Sequence, residues 1–139
     1  MKGVTLTPLK QIADERGKIM HMMRATDPHF SEFGEVYFSW INPGIVKGWH
    51  KHSVTTVNLA VPVGKAKIVV RDPDAENQCM EFVLSQDNYQ LLSIEPGLWY
   101  GFSCEGSEPT MITNCASHPH DPDESEKCDI DAFNYSWTK

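Results

Sequence analysis

The sequence predicts an all-β fold, a sandwich or barrel built from short strands. Short runs rich in β-branched and aromatic residues recur along the chain, and nearly every break between them carries Gly, Pro, Asn or Asp. No long stretch repeats its apolar residues with the 3.6-residue period of a helix. The 139 residues are 40% hydrophobic and 22% charged, enough apolar material for one core, so a single domain over 1–139 is expected.

Val4-Thr5-Leu6-Thr7 opens the strand series, Asp14-Glu15-Arg16-Gly17 is a polar turn, and Lys18 to Arg24 reads as a strand. These N-terminal strands, about 1–24, are expected to pack on the main body. Asp27 to Phe33 has room for one or two helical turns before Gly34. Glu35 to Ile41 is a strand that stops at Asn42-Pro43-Gly44. Thr55 to Val63 and Lys65 to Val70 are hinged at Gly64, and partial alternation in the second turns one face to solvent. Cys79 to Leu84, Tyr89 to Ile94 and Thr110 to Cys115 complete the series. The last segment, about 118–139, is acid-rich, which on charge alone suggests a disordered tail. Its late aromatics, Phe133, Tyr135 and Trp137, predict instead that it folds back and docks.

Charge narrows the partners. Twelve basic against nineteen acidic residues give a net charge of −7, which disfavours nucleic acid, since that binding runs on phosphate neutralisation. A small anion remains open, because a few cations in a pocket outweigh the net field locally. No run approaches the ~18 apolar residues of a membrane helix, and the first residues lack the apolar core of a secretory signal, so no membrane partner and a cytoplasmic location are expected. Cys79, Cys104, Cys115 and Cys128 contain no C-x-x-C pair and read as reduced thiols.

The sharpest chemical feature is Gly48-Trp49-His50-Lys51-His52. Residues i and i+2 of a strand face the same way, so His50 and His52 point together, towards a cavity if the strand lines one. Paired imidazoles suggest a metal pair or acid/base chemistry.

The H-x-H after a glycine, the β-rich body and the later Pro96-Gly97-Leu98-Trp99-Tyr100-Gly101-Phe102 resemble the two signature regions of cupins. The resemblance implies a double-stranded β-helix, or jelly-roll barrel. Metal-binding cupins carry a further Glu and a second-motif His; here those places hold Thr55, Thr56 and Val57, and Tyr100. Two histidines fall short of the three protein ligands of a catalytic zinc site, so no metal is expected.

Within cupins the chain is similar to the dTDP-4-dehydrorhamnose 3,5-epimerase branch. Asp14-Glu15-Arg16-Gly17 matches its D-x-R-G, Lys47-Gly48-Trp49-His50 resembles its R-G-L-H, and 94–102, with the Gln90-Leu91 lead-in, resembles its later motif. The resemblance implies cofactor-independent epimerisation, at C3, C5 or both, of a nucleoside-diphosphate 4-keto-6-deoxy sugar, through an enolate. It implies a dTDP-linked substrate, deoxysugar or polysaccharide biosynthesis, and a homodimer. It also assigns His50 as the base, Asp129 or Asp131 as its orienting carboxylate, and Arg16 and Lys47 as the diphosphate clamp. His52, Asn58, Trp99 and Asn114 complete the expected substrate contacts.

The chain departs from the branch at two catalytic positions. Thr113 stands where the family has its Tyr acid, leaving Tyr100 and His118 as candidates. Val57 stands where a Lys stabilises the enolate, and a protonated His52 could supply that charge. Two other readings therefore stay open: a sugar-nucleotide 3,4-ketoisomerase, whose G-x-H-A-H segment resembles 48–52, and a non-catalytic sugar-nucleotide-binding cupin.

Overall fold

The computed structural model describes residues 1–75 and 78–138, and twelve strands follow one another along them. They are β1 (Val4–Pro8), β2 (Gln11–Asp14), β3 (Gly17–Met20), β4 (Glu35–Ile41), β5 (Val46–His52), β6 (Val57–Val63), β7 (Lys65–Arg71), β8 (Cys79–Ser85), β9 (Gln90–Ile94), β10 (Trp99–Cys104), β11 (Thr110–Ala116) and β12 (Ser125–Lys127). Two five-stranded antiparallel sheets, in the orders β1-β9-β6-β11-β4 and β12-β5-β10-β7-β8, face each other, and β2-β3 forms a separate hairpin. This is the jelly-roll architecture, in which apolar residues of the two inner faces interdigitate. Ile41, Leu59, Val61, Ile68, Val70, Leu84, Leu92, Ile94 and Ile112 fill the interior.

The described residues contain no helix: 27–29 form a bend and turn and 30–33 are irregular, in place of the helical turns expected. There the carboxylate of Asp27 accepts from the Arg24 backbone N–H at 2.7 Å, a side-chain bond that closes a turn. The strand expected over 18–24 ends at Met20, while β2, β10 and β12 extend the strand set.

Two bulges shape the sheets. On β11–β6 the register slips around Pro62, which donates no backbone bond. On β5–β10, Tyr100 pairs with His50 and Phe102 with Lys47, so Gly48 and Trp49 together oppose Gly101. Strict alternation would place Lys47 and His50, three residues apart, on opposite faces; the extra residue returns both to the inner face. The bulge needs small residues, since a Cβ on Gly101 would lie 3.1 Å from the Lys47 carbonyl oxygen.

The C-terminal segment packs on the outer face of the second sheet. Trp49, fully buried, meets Phe133, Tyr135 and Trp137 at ring-centroid distances of 5.2, 6.1 and 5.3 Å, and its Nε1 donates to the Ile130 carbonyl at 3.2 Å. Buried Lys67 is satisfied there as well: its Nζ donates to the Trp137 carbonyl and lies over the Tyr135 and Trp137 rings. No helix of the described residues is long and apolar enough to cross a membrane.

Candidate active site

A cavity of about 250 Å³ opens between the two sheets. β5 contributes Lys47, His50 and His52, and β10 contributes Tyr100 and Phe102. From the opposite sheet come Tyr37 and Ser39 of β4, Leu59 of β6, and Ile112 and Asn114 of β11. His120, Ser125 and Lys127 close the rim. Leu59, Phe102 and Ile112 give an apolar floor, and the polar lining carries lysines, histidines and phenols without a carboxylate. In a chain of net charge −7 this is a local inversion of sign, suited to an anionic ligand with an apolar part.

The two histidines have different surroundings. His52 Nδ1 lies 2.7 Å from Glu124 Oε1, and its Nε2 lies 3.2 Å from the Tyr100 hydroxyl. With the carboxylate as acceptor, Nδ1 carries the hydrogen and Nε2 accepts from the Tyr100 O–H, which fixes the tautomer. The other Glu124 oxygen accepts from the backbone N–H groups of Ser53, Val54 and Thr55 at 2.9–3.0 Å. Burial works to raise the Glu124 carboxyl; the bonds from His52, Val54 and Thr55 outweigh it and hold the group at about 2, against an ordinary 4.5. Burial pushes the Tyr100 phenol well above its ordinary value, so it stays protonated.

His50 is pushed the other way. Burial, then the Lys127 ammonium and the neighbouring His52 imidazole, lower its pKa below the ordinary 6.5, so its ring is neutral at pH 7. The His50 and His52 rings flank Tyr100 at centroid distances of 5.9 and 6.0 Å. Lys47 Nζ donates to the Trp40 carbonyl at 2.7 Å and to Ser39 Oγ at 3.2 Å. The Tyr37 hydroxyl accepts from Asn114 Nδ2 at 3.0 Å, and Asn114 Oδ1 accepts from the Asn58 backbone N–H.

Lys47, His50, His52, Tyr100 and Asn114 are thus brought together, and the other expected residues lie elsewhere. Asp129 and Asp131 are exposed and the Asp129 carboxylate accepts from the Asp131 backbone, so the carboxylate engaged with the H-x-H is Glu124, on His52. His118 is outside the cavity lining: its Nδ1 bonds Ser117 Oγ and its Nε2 pairs with Glu32 at 3.2 Å. Trp99 lies outside it too, against Phe133 and under the Lys51 ammonium. Asn58 is buried behind the cavity, bonded to Ser93 and the Cys115 carbonyl. Arg16 lies at the tip of the β2–β3 hairpin, 84% exposed and paired with Asp14 at 2.6 Å. Among the described residues, no three His, Cys, Asp or Glu side chains form a metal-holding group.

The sequence motifs do not point to Tyr37, Glu124 or Lys127, which the structure brings to the site. Tyr37 restores a phenol to the cavity one strand away from Thr113, because Asn114 pairs with Tyr37 between β11 and β4.

Comparison with known proteins places this geometry. The family model described as the polysaccharide biosynthesis C-terminal domain matches residues 12–128. The chain belongs to that family. It is 41% identical to a dTDP sugar isomerase from Desulfovibrio desulfuricans, with a TM-score of 0.93 over 98% of this chain and 91% of that one. A probable low-salt glycan biosynthesis epimerase of Haloferax volcanii is 28% identical, over 87% of this chain and 83% of its own length. The fold is shared with a dTDP-4-dehydrorhamnose 3,5-epimerase from Sulfolobus tokodaii at 20% identity and a TM-score of 0.82, covering 97% and 82% of the two chains. The fold is that of the epimerase-like cupins, as the sequence motifs imply.

Proposed function

We propose that the chain is an isomerase that moves protons on the carbons beside the keto group of a dTDP-linked 4-keto-6-deoxy sugar, in deoxysugar or polysaccharide synthesis. The observation that carries this reading is the cavity itself, where two imidazoles with different hydrogen-bond surroundings flank a buried phenol beneath a cationic rim. The likeness to the Desulfovibrio dTDP sugar isomerase supports the substrate class.

A carbonyl acidifies the hydrogens on its neighbouring carbons. His50, neutral and without a carboxylate partner among the described residues, takes one of them, and the electron pair moves to the keto oxygen as an enolate. A phenol returns a proton to carbon. Tyr37 holds a hydroxyl hydrogen that its bond from Asn114 leaves available, and Tyr100 is recharged through His52, which Glu124 orients. Positioned proton transfer of this kind is worth ~10²–10⁴ in rate. Return of the proton to the opposite face at the same carbon gives the epimer. Return at a different position of the enediol gives the 3-keto isomer, a second reading that the H-x-H pair facing the cavity favours.

The reading includes a homodimer. β4 is a sheet edge with Phe38 and Trp40 62% and 52% exposed, and the β2–β3 hairpin exposes Ile12 and Ile19. Unpaired apolar edges of this kind favour strand addition by a second copy. Tyr37 and Ser39 of the same β4 line the cavity, so a second copy docked on that edge would lie beside the site. A cytoplasmic location fits four cysteines that form no disulfide among the described residues.

The test is proton NMR of dTDP-4-keto-6-deoxyglucose incubated with the protein. An inverted C3 or C5 centre supports the epimerase, and a 3-keto product the ketoisomerase. Unchanged substrate that nevertheless binds refutes both and leaves a binding module. Sedimentation as a monomer at micromolar concentration would refute the dimer.

A further inference from the structure

The enolate needs a positive charge beside its oxygen, and the position that carries a lysine in the resembling epimerases is Val57 here, 1% exposed in the apolar core. Nothing on β6 can therefore supply it. The structure assigns this role to Lys127, on a different element; the assignment rests on the isomerase reading above. β12 pairs antiparallel with β5, with Lys127 opposite His50 and Ser125 opposite His52. Directly opposed residues of an antiparallel pair share a face, with Cβ atoms ~5 Å apart. Both Lys127 and Ser125 accordingly line the cavity, while Glu126 between them turns away to pair with Lys51 at 3.6 Å.

The other cavity lysine is already engaged. Lys47 Nζ is held by the Trp40 carbonyl and Ser39 Oγ on the β4 side. The Lys127 ammonium, among the described residues, has no hydrogen bond or ion pair, so it is able to meet a charge that develops during the reaction. A donor placed where charge appears only in the transition state accelerates the step rather than merely tightening binding. The same ammonium acts on His50, whose ring it helps to keep neutral. The step balances without a co-reactant: a C–H bond breaks to His50, its electron pair becomes the C=C bond of the enolate, and the oxyanion pairs with Lys127 until carbon is reprotonated.

The experiment compares wild-type protein, Lys127→Met and Lys127→Arg on dTDP-4-keto-6-deoxyglucose in D2O, with kcat and KM separated and kcat/KM followed against pH. Lys127→Met is expected to lose kcat on the order of 10²-fold, with Lys127→Arg recovering much of it, while KM changes by less than about threefold. The titratable groups that line the cavity with His50 are Lys47 and His52 on β5, Tyr100 on β10, Tyr37 on β4, His120 at the rim and Lys127 on β12. Removing the last lifts a positive charge from His50, so its pKa rises and the acid limb of kcat/KM moves to higher pH. Unchanged kcat, or a loss confined to KM with no movement of that limb, would overturn the assignment and make Lys127 a ligand contact or a bystander. Wild-type protein that exchanges no proton defeats the isomerase reading itself; equal exchange by wild type and Lys127→Met defeats only the role of Lys127.

Discussion

Glu124 lies in the acid-rich C-terminal segment and yet ties together the two elements that frame the cavity. One carboxylate oxygen meets His52 and the other accepts three consecutive backbone N–H groups, so the turn after β5 is closed on a single negative charge. Its side chain is only 10% exposed. A carboxyl held at about 2 rather than 4.5 represents ~3 kcal/mol at 1.36 kcal/mol per unit, which solvent screening near the rim reduces to ~2 kcal/mol. Because the folded-state pKa is the lower one, this stability is fully present above about pH 5 and is lost as pH falls through the folded value near 2. Glu124→Gln removes the charge while keeping the shape, and should cost ~2 kcal/mol at pH 7, or roughly 6–10 °C in Tm for a chain of this size. The assay is thermal unfolding of both proteins by circular dichroism from pH 7 to pH 2.5. The gap between them should narrow steadily below pH 5. A gap that keeps its size down to pH 2.5 would refute the electrostatic argument and leave only packing.

The remaining predictions concern the phenols and the outer face. Tyr100→Phe should break the bond to His52 and lower kcat by at least ~10-fold with little change in dTDP affinity, whereas Tyr37→Phe should do so at one reacting carbon more than the other; steady-state kinetics with NMR at C3 and C5 separates them. Equal, undiminished rates in both would remove the phenols from the reaction. Trp49→Ala empties the seat of Phe133, Tyr135 and Trp137 and should cost ~3–5 kcal/mol in urea unfolding, as large aromatic truncations do. A loss under about 1 kcal/mol would show that the C-terminal segment does not depend on that ring.

Strand content was legible because β-branched and aromatic runs punctuated by Gly, Pro and Asn have few other solutions, and the H-x-H pair because period-2 alternation is local. Trp99 neighbours Tyr100, and two adjacent strand residues cannot both face inward, so alternation in the sequence already turns Trp99 away from the cavity that Tyr100 lines. Glu124 was not legible, since its partner His52 is 72 residues away and nothing local distinguishes it from Asp121, Asp123 or Asp129. Tyr37 and Lys127 became cavity residues only through strand order, which sets β4 beside β11 and β12 beside β5. Lys47 shares a face with His50 through the bulge at Gly48-Trp49, a register feature that alternation in the sequence would deny.

Proton removal by His50 is the claim on which the mechanism turns. Its direct measurement is deuterium incorporation at C3 and C5 of dTDP-4-keto-6-deoxyglucose in D2O, comparing the wild-type protein with His50→Asn after calorimetry has shown that both bind dTDP. The account predicts enzyme-dependent exchange by the wild type and none above the solvent background by His50→Asn. Exchange by His50→Asn at the wild-type rate would contradict it and move the base elsewhere in the cavity.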